Sequence, residues 1–177
     1  MLLNIENNRQ YLTDVKELYY NSFPIEERRP WKDVERLLQA DCGGYNLKAI
    51  IENDDFAGFI SYWHFGNFCY VEHFAIKPQL RGNGVGAMAL QQLISHVGCP
   101  VVLEVELPCQ GETARRRVAF YHRNGFTPHY DFEYLQPPYA DGLPSVPLML
   151  MTANATANVD LKSIAATLHQ EVYGIKS

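Results

Sequence analysis

A glycine-rich junction between a strand and a helix constrains this chain more than any other feature. In Gln79-Leu80-Arg81-Gly82-Asn83-Gly84-Val85-Gly86-Ala87, alternate positions are glycine just where an apolar pattern of helical period begins at Val85, Met88, Ala89, Leu93, Ile94 and Val97. Glycines let the backbone come close to a ligand, and the first N–H groups of a helix have no partner of their own. Together they suit an anion, so the junction is read as a phosphate or pyrophosphate cradle. Gly82, Gly84 and Ala87 also fit a relaxed dinucleotide fingerprint, with Glu104 at a spacing suited to a ribose carboxylate. A dinucleotide-binding strand, however, runs almost directly into its first glycine, and here Lys77-Pro78-Gln79-Leu80-Arg81 intervene after Ile76. The chain then turns to antiparallel-looking pairs instead of a continuing parallel sheet, and the dinucleotide alternative is set aside.

The surrounding pattern predicts helices over 13–23, capped by Thr13 or Asp14, and over 31–39, followed by a turn at Asp41-Cys42-Gly43-Gly44. A hairpin over 47–52 and 56–63 and a strand over 70–76 precede the cradle. Gly98 and Pro100 stop the cradle helix; a strand over 101–107 and a helix over 114–124 follow. A strand pair over 126–135 and 146–152 and a last helix over 160–173 complete a mixed α/β layout with a partly parallel centre. With 177 residues and no linker or repeat, a single domain spanning 1–177 is expected.

At the cradle, Gln79-Leu80-Arg81-Gly82-Asn83-Gly84 matches the [QR]-x-x-G-x-[GA] signature of the GNAT superfamily of acyl-CoA-dependent N-acyltransferases. Phe74-Ala75-Ile76-Lys77-Pro78 before it resembles the end of that family's central strand, and Phe120-Tyr121-His122-Arg123-Asn124-Gly125-Phe126 resembles its FYxxxGF helix end. The resemblance covers 56–152 best and is to an uncharacterised bacterial branch. It implies a GNAT fold: a mixed sheet of about six to seven strands with flanking helices, in which the parallel strands 70–76 and 101–107 splay apart. It also implies acetyl-CoA as acyl donor, its pyrophosphate on the backbone of Arg81, Gly82, Asn83, Gly84, Val85, Gly86 and Ala87. The pantetheine would run along the strand end at Phe74, Ala75 and Ile76. Where many members carry a pantetheine-contacting Asn, this chain has Ala114. The resemblance places Tyr121 as the acid that protonates the leaving thiolate, its titration setting the alkaline limb of the rate profile.

Acyl transfer needs a neutral amine, and a lysine-like amine at pH 7 is about 3.4 units below its pKa, a deficit of roughly 4.6 kcal/mol. A carboxylate near the acceptor would take that proton. Glu72 and Glu104 sit in otherwise apolar strands flanking the expected thioester site, and either could be this base. The resemblance favours Glu72, four residues before Ile76, over Glu104. Strand alternation predicts that His73 faces away from Glu72 and is structural, and that Glu104 and Glu106 share a face that could be solvated. The acceptor, a small-molecule or peptide amine, is expected near Glu26, Glu27 and Tyr139.

Net charge of −5 argues against a nucleic-acid partner, and no apolar run reaches the ~20 residues of a membrane span. No signal peptide is visible, and four cysteines without CxxC spacing suit a reduced, cytoplasmic protein. His96, Cys99, Cys109 and His122 match no zinc-ligand spacing, so no metal is expected. The chain would act as a monomer or homodimer. The alternative to an enzyme is a catalytically silent acyl-CoA-binding regulatory module on the same cradle.

Overall fold

The computed structural model describes residues 1–39, 44–155 and 159–175, so all but Gly44 of the turn expected over Asp41-Cys42-Gly43-Gly44 lies outside the described residues. An eight-stranded sheet forms the middle layer. Strands β1 (Leu2–Asn4), β2 (Tyr45–Glu52), β3 (Asp55–His64) and β4 (Cys69–Ile76) follow one another antiparallel. Asn53 and Asp54 both take positive φ, the conformation a two-residue hairpin turn requires, and close β2 onto β3. Next to β4 lies β5 (Val101–Glu106), paired with it in parallel, and then β8 (Val146–Ala153). Two short strands, β6 (Thr127–Pro128) and β7 (Tyr134–Gln136), pair with β8 where the sequence pattern suggested one strand over 126–135. Pro128 has no N–H to continue the ladder, and Phe132 turns back on His129 through a backbone hydrogen bond. The three-residue β1 was not expected.

Helices α1 (Leu12–Ser22) and α2 (Trp31–Gln39) cover one face with α5 (Leu161–Thr167), burying Val15, Leu18, Tyr19, Trp31, Val34 and Ile164 against Leu47, Phe59 and Tyr70. Thr13 and Asp14 lie inside α1; its N-cap is Tyr11, which makes no side-chain capping bond. Helices α3 (Val85–Val97) and α4 (Glu112–Arg123) cover the other face, with Leu90, Leu93 and Val118 on Val71, Leu103 and Val105. The last helix is shorter than its pattern implied: after Thr167 it widens into a π-helical turn, Leu168–Val172.

One irregularity shapes the centre. Across β3 and β4, Ser61 pairs with His73 but Tyr62 pairs with Val71, leaving Glu72 as an extra residue in β4. Such a bulge bends a strand and sharpens its twist. The parallel β4–β5 pairing accordingly stops at Val71 and Leu103, one residue before Glu72 and Glu104. Beyond that row the two strands part and leave an open notch.

Candidate active site

The cradle flanks this notch. Gly82 and Gly84 both have φ of +84°, and a Cβ on either would point into open space rather than into the protein. Their conformation is one that L side chains resist, and it leaves the backbone bare towards the outside. Among the described residues, no backbone acceptor is taken by the N–H groups from Gly82 to Ala87; the first so engaged is Met88, bonded to Gly84. The free donors therefore begin at Gly82 and not at Arg81, whose N–H bonds Pro78 and whose Nε bonds the Ile76 carbonyl. Gly86 is tight for a different reason: a Cβ there would lie 3.3–3.4 Å from Phe120, Ile76 and Phe74, which fixes α3 against α4 and the end of β4.

The bulge corrects the expected placement of His73. Because Glu72 is the extra residue, Glu72 and His73 both face α1, α2 and the last turn of the chain. His73 is structural, as expected: its Nε2 lies 3.0 Å from the Glu27 carbonyl, its backbone N–H donates to Ser61, and burial lowers its pKa. It ties the Pro24–Pro30 connector to β4.

Glu72 is fully enclosed. Arg29 donates to its Oε1 through Nε at 2.9 Å, Tyr139 donates to the same oxygen at 3.0 Å, and Trp63 Nε1 donates to Oε2 at 2.8 Å. Burial alone would raise its pKa, but Arg29 and these hydrogen bonds outweigh it and hold Glu72 below the ordinary carboxylate range. Arg29 also lies over the rings of Trp63 and Tyr139. Removing one partner of a buried pair strands the other charge, at a cost of about 3–5 kcal/mol. Arg29→Met should therefore lower the melting temperature by roughly 10 °C, read by calorimetry. Arg29→Met with Glu72→Gln should recover much of the loss.

Glu104 is held quite differently. It faces the same side as Glu72, half-buried beneath aromatic side chains rather than on an open solvated face. Tyr70 and Tyr173 donate to its Oε2 at 2.9 and 2.7 Å, and Tyr134 donates to Oε1. No cation pairs with it among the described residues. Burial pushes its pKa up to about 7 despite the three phenols, with the charge of Glu72 adding to the rise. Sequence pattern showed the two glutamates but not these tyrosines, which converge from β4, β7 and the chain's last turn.

Tyr121 approaches from the opposite face. It packs on Phe120 and Phe126. Burial pushes its pKa up to about 12, with Arg117 lowering and Glu106, at the end of β5, raising it. An alkaline limb set by Tyr121 would accordingly lie near 12, above the ordinary tyrosine range.

Of the weaker acceptor-site expectations, Tyr139 is in the site through Glu72. Glu26 and Glu27 contribute carbonyls to Gln136 and His73. Burial, with Glu106 adding to it, raises the pKa of the Glu27 carboxyl, and Arg117 opposes the rise. Arg115 and Arg116 pair with Glu112 on the surface of α4, and Arg117 pairs with Glu106. Ala114 is buried.

The sequence profile of the Acetyltransferase (GNAT) family matches residues 12–126. The chain belongs to the GNAT acetyltransferase family. A candidate acetyltransferase of the GNAT family from Bacteroides thetaiotaomicron is 39% identical over 99% of both chains, with a TM-score of 0.90. An aminoglycoside 6'-N-acetyltransferase complexed with coenzyme A shares the GNAT fold at 17% identity and TM-score 0.61, covering 90% of this chain and 99% of its own. A ribosomal-protein-alanine N-acetyltransferase from Brucella melitensis does so at 16% identity and TM-score 0.61, over 86% and 98%. No functionally curated sequence matches the chain. Among the described residues, no helix is long and apolar enough to cross a membrane.

Proposed function

We propose that this GNAT protein transfers the acetyl group of acetyl-CoA to a primary amine by direct attack, with Glu104 as base and Tyr121 as acid. The observation that carries the proposal is the parting of β4 and β5 after Val71 and Leu103: Glu104 follows the last paired row, the glycine cradle packs on the end of β4, and Tyr121 lies on the opposite face of the sheet. The cradle residues fit a pyrophosphate, because six successive residues lack a backbone acceptor at the start of a thirteen-residue helix. The parted edge of β4 at Phe74, Ala75 and Ile76 would pair with pantetheine amides. Bound there, acetyl-CoA would supply a thioester carbonyl as electrophile.

Glu104 takes one proton from the ammonium of the acceptor, which frees the nitrogen lone pair. As the C–N bond forms and the C–S bond breaks, Tyr121 gives one proton to the departing sulfur. Glu72 stays ionised, and with Arg29 it fixes the wall formed by Trp63 and Tyr139. The acceptor is a small-molecule or peptide amine. Cys69, Cys99 and Cys109 are unpaired thiols, which suits a reducing compartment such as the cytoplasm.

Cofactor use is tested by thermal shift. At about 100-fold its Kd, acetyl-CoA should stabilise the protein by about 2.7 kcal/mol, or roughly 5–10 °C, while NAD at the same concentration does nothing. Gly84→Val starts from a lower melting temperature, because its φ of +84° strains a β-branched residue, and should lose the acetyl-CoA shift. A shift with NAD and none with acetyl-CoA would return the cradle to dinucleotide binding.

A further inference from the structure

The turn over 168–173 meets Glu104 directly and Glu72 through Arg29. Asp160 caps α5 by accepting the Ser163 N–H, and the helix then widens so that the Tyr173 N–H bonds the Leu168 carbonyl five residues back. Leu168 and Val172 are buried by this turn, and the Val172 carbonyl accepts from Arg29 Nη2 at 2.8 Å. Tyr173 is thereby set against Tyr139, with ring centroids 4.9 Å apart, and its hydroxyl meets Glu104. π-helical turns inside helices are frequent at functional sites.

A carboxylate has about four acceptor positions, two on each oxygen. On Glu104, Tyr70 and Tyr173 use both positions of Oε2, and Tyr134 uses one of Oε1. We propose that Tyr173 is a positioning residue for Glu104: with Tyr70 it saturates Oε2, so that the single open position, on Oε1, is where the acceptor's proton arrives. Each of the two phenols has one proton and gives it to the carboxylate, so their 3.1 Å separation is a contact between oxygens that do not bond each other. The other groups facing Glu104 are Tyr139 and the charge of Glu72, which is itself paired with Arg29. The role in turnover rests on Glu104 being the base; the hold of Tyr173 on the carboxylate does not.

The two are separable by titrating the Glu104 carboxyl directly, through its carbon-13 resonance in protein labelled at glutamate, with Glu104→Gln identifying the signal. Tyr173→Phe removes one hydrogen bond to the charged form and should raise the midpoint by about one to two pH units. Placing 3,5-difluorotyrosine at position 173 keeps the shape and strengthens the donor, so the midpoint should fall; this variant decides the matter if the Phe variant folds poorly. A midpoint unchanged in a folded variant of either kind overturns the role of Tyr173. Wild-type turnover by Glu104→Gln would instead overturn Glu104 as base.

Discussion

Glu104→Gln should lower kcat/KM for acetyl transfer by about 10²- to 10⁴-fold, the usual contribution of a general base. The wild-type profile should rise with pH up to about 7, because Glu104 accepts a proton only when ionised and its ionised fraction falls tenfold per pH unit below that value. In the Gln variant that limb disappears, and the remaining pH dependence is the amine's own. Stability gives an independent check with a definite sign. A carboxyl whose folded pKa lies above its unfolded value favours folding fully below the unfolded value, and that contribution is lost as pH rises through about 7. Wild type should therefore lose on the order of 3 kcal/mol between about pH 4.5 and pH 7 through this group, and Glu104→Gln should not. Melting curves of the two proteins across that range, together with the rate profiles, check both statements. Wild-type rates and an unchanged acid limb in the variant would remove Glu104 from the chemistry.

Tyr121→Phe should reduce kcat by a comparable 10²- to 10⁴-fold, since the ring keeps its packing on Phe120 and Phe126 and only the acid is removed. Acetyl-CoA affinity should hold, because the cradle from Gly82 to Ala87 is untouched. With the Tyr121 pKa pushed up to about 12, the loss should be uniform with pH below about 10 and should not be confined to an alkaline limb. Single-turnover rates over pH 6–10 measure this. A rate equal to wild type throughout would make Tyr121 a packing residue and leave the thiolate to be protonated by water.

The cradle and the helix end at Tyr121 were legible in the sequence because both are short and local: glycines at fixed offsets, then an aromatic pair before a glycine turn. The strand–helix order was legible for the same reason, since apolar period changes from two to nearly four at Val85. His73 was misplaced because a bulge inserts one residue without altering composition; strand alternation read through Val71, Glu72 and His73 puts the wrong side chain on each face. The resemblance favours Glu72 as base and the proposed function turns to Glu104, since both are acidic residues in apolar strands and no local pattern tells a paired carboxylate from an unpaired one. What separates them is Arg29, 43 residues before Glu72 in the chain, and three tyrosines scattered from Tyr70 to Tyr173. Such long-range convergence leaves no local pattern. The π-helical turn that carries Tyr173 is hidden likewise, because Leu161, Ile164, Leu168 and Val172 keep ordinary helical spacing.

Thiol release from acetyl-CoA across an amine panel tests the central claim most directly. The panel should include polyamines, aminoglycosides, amino acids, peptides with free N-termini or lysine, and the metabolite and peptide fractions of a cell extract. An acetyltransferase releases thiol in step with an N-acetylated product for at least one amine, and Glu104→Gln and Tyr121→Phe slow that same reaction. A wild-type protein that is stabilised by acetyl-CoA yet releases no amine-dependent thiol with any member would contradict the account and leave a silent acyl-CoA-binding module in its place.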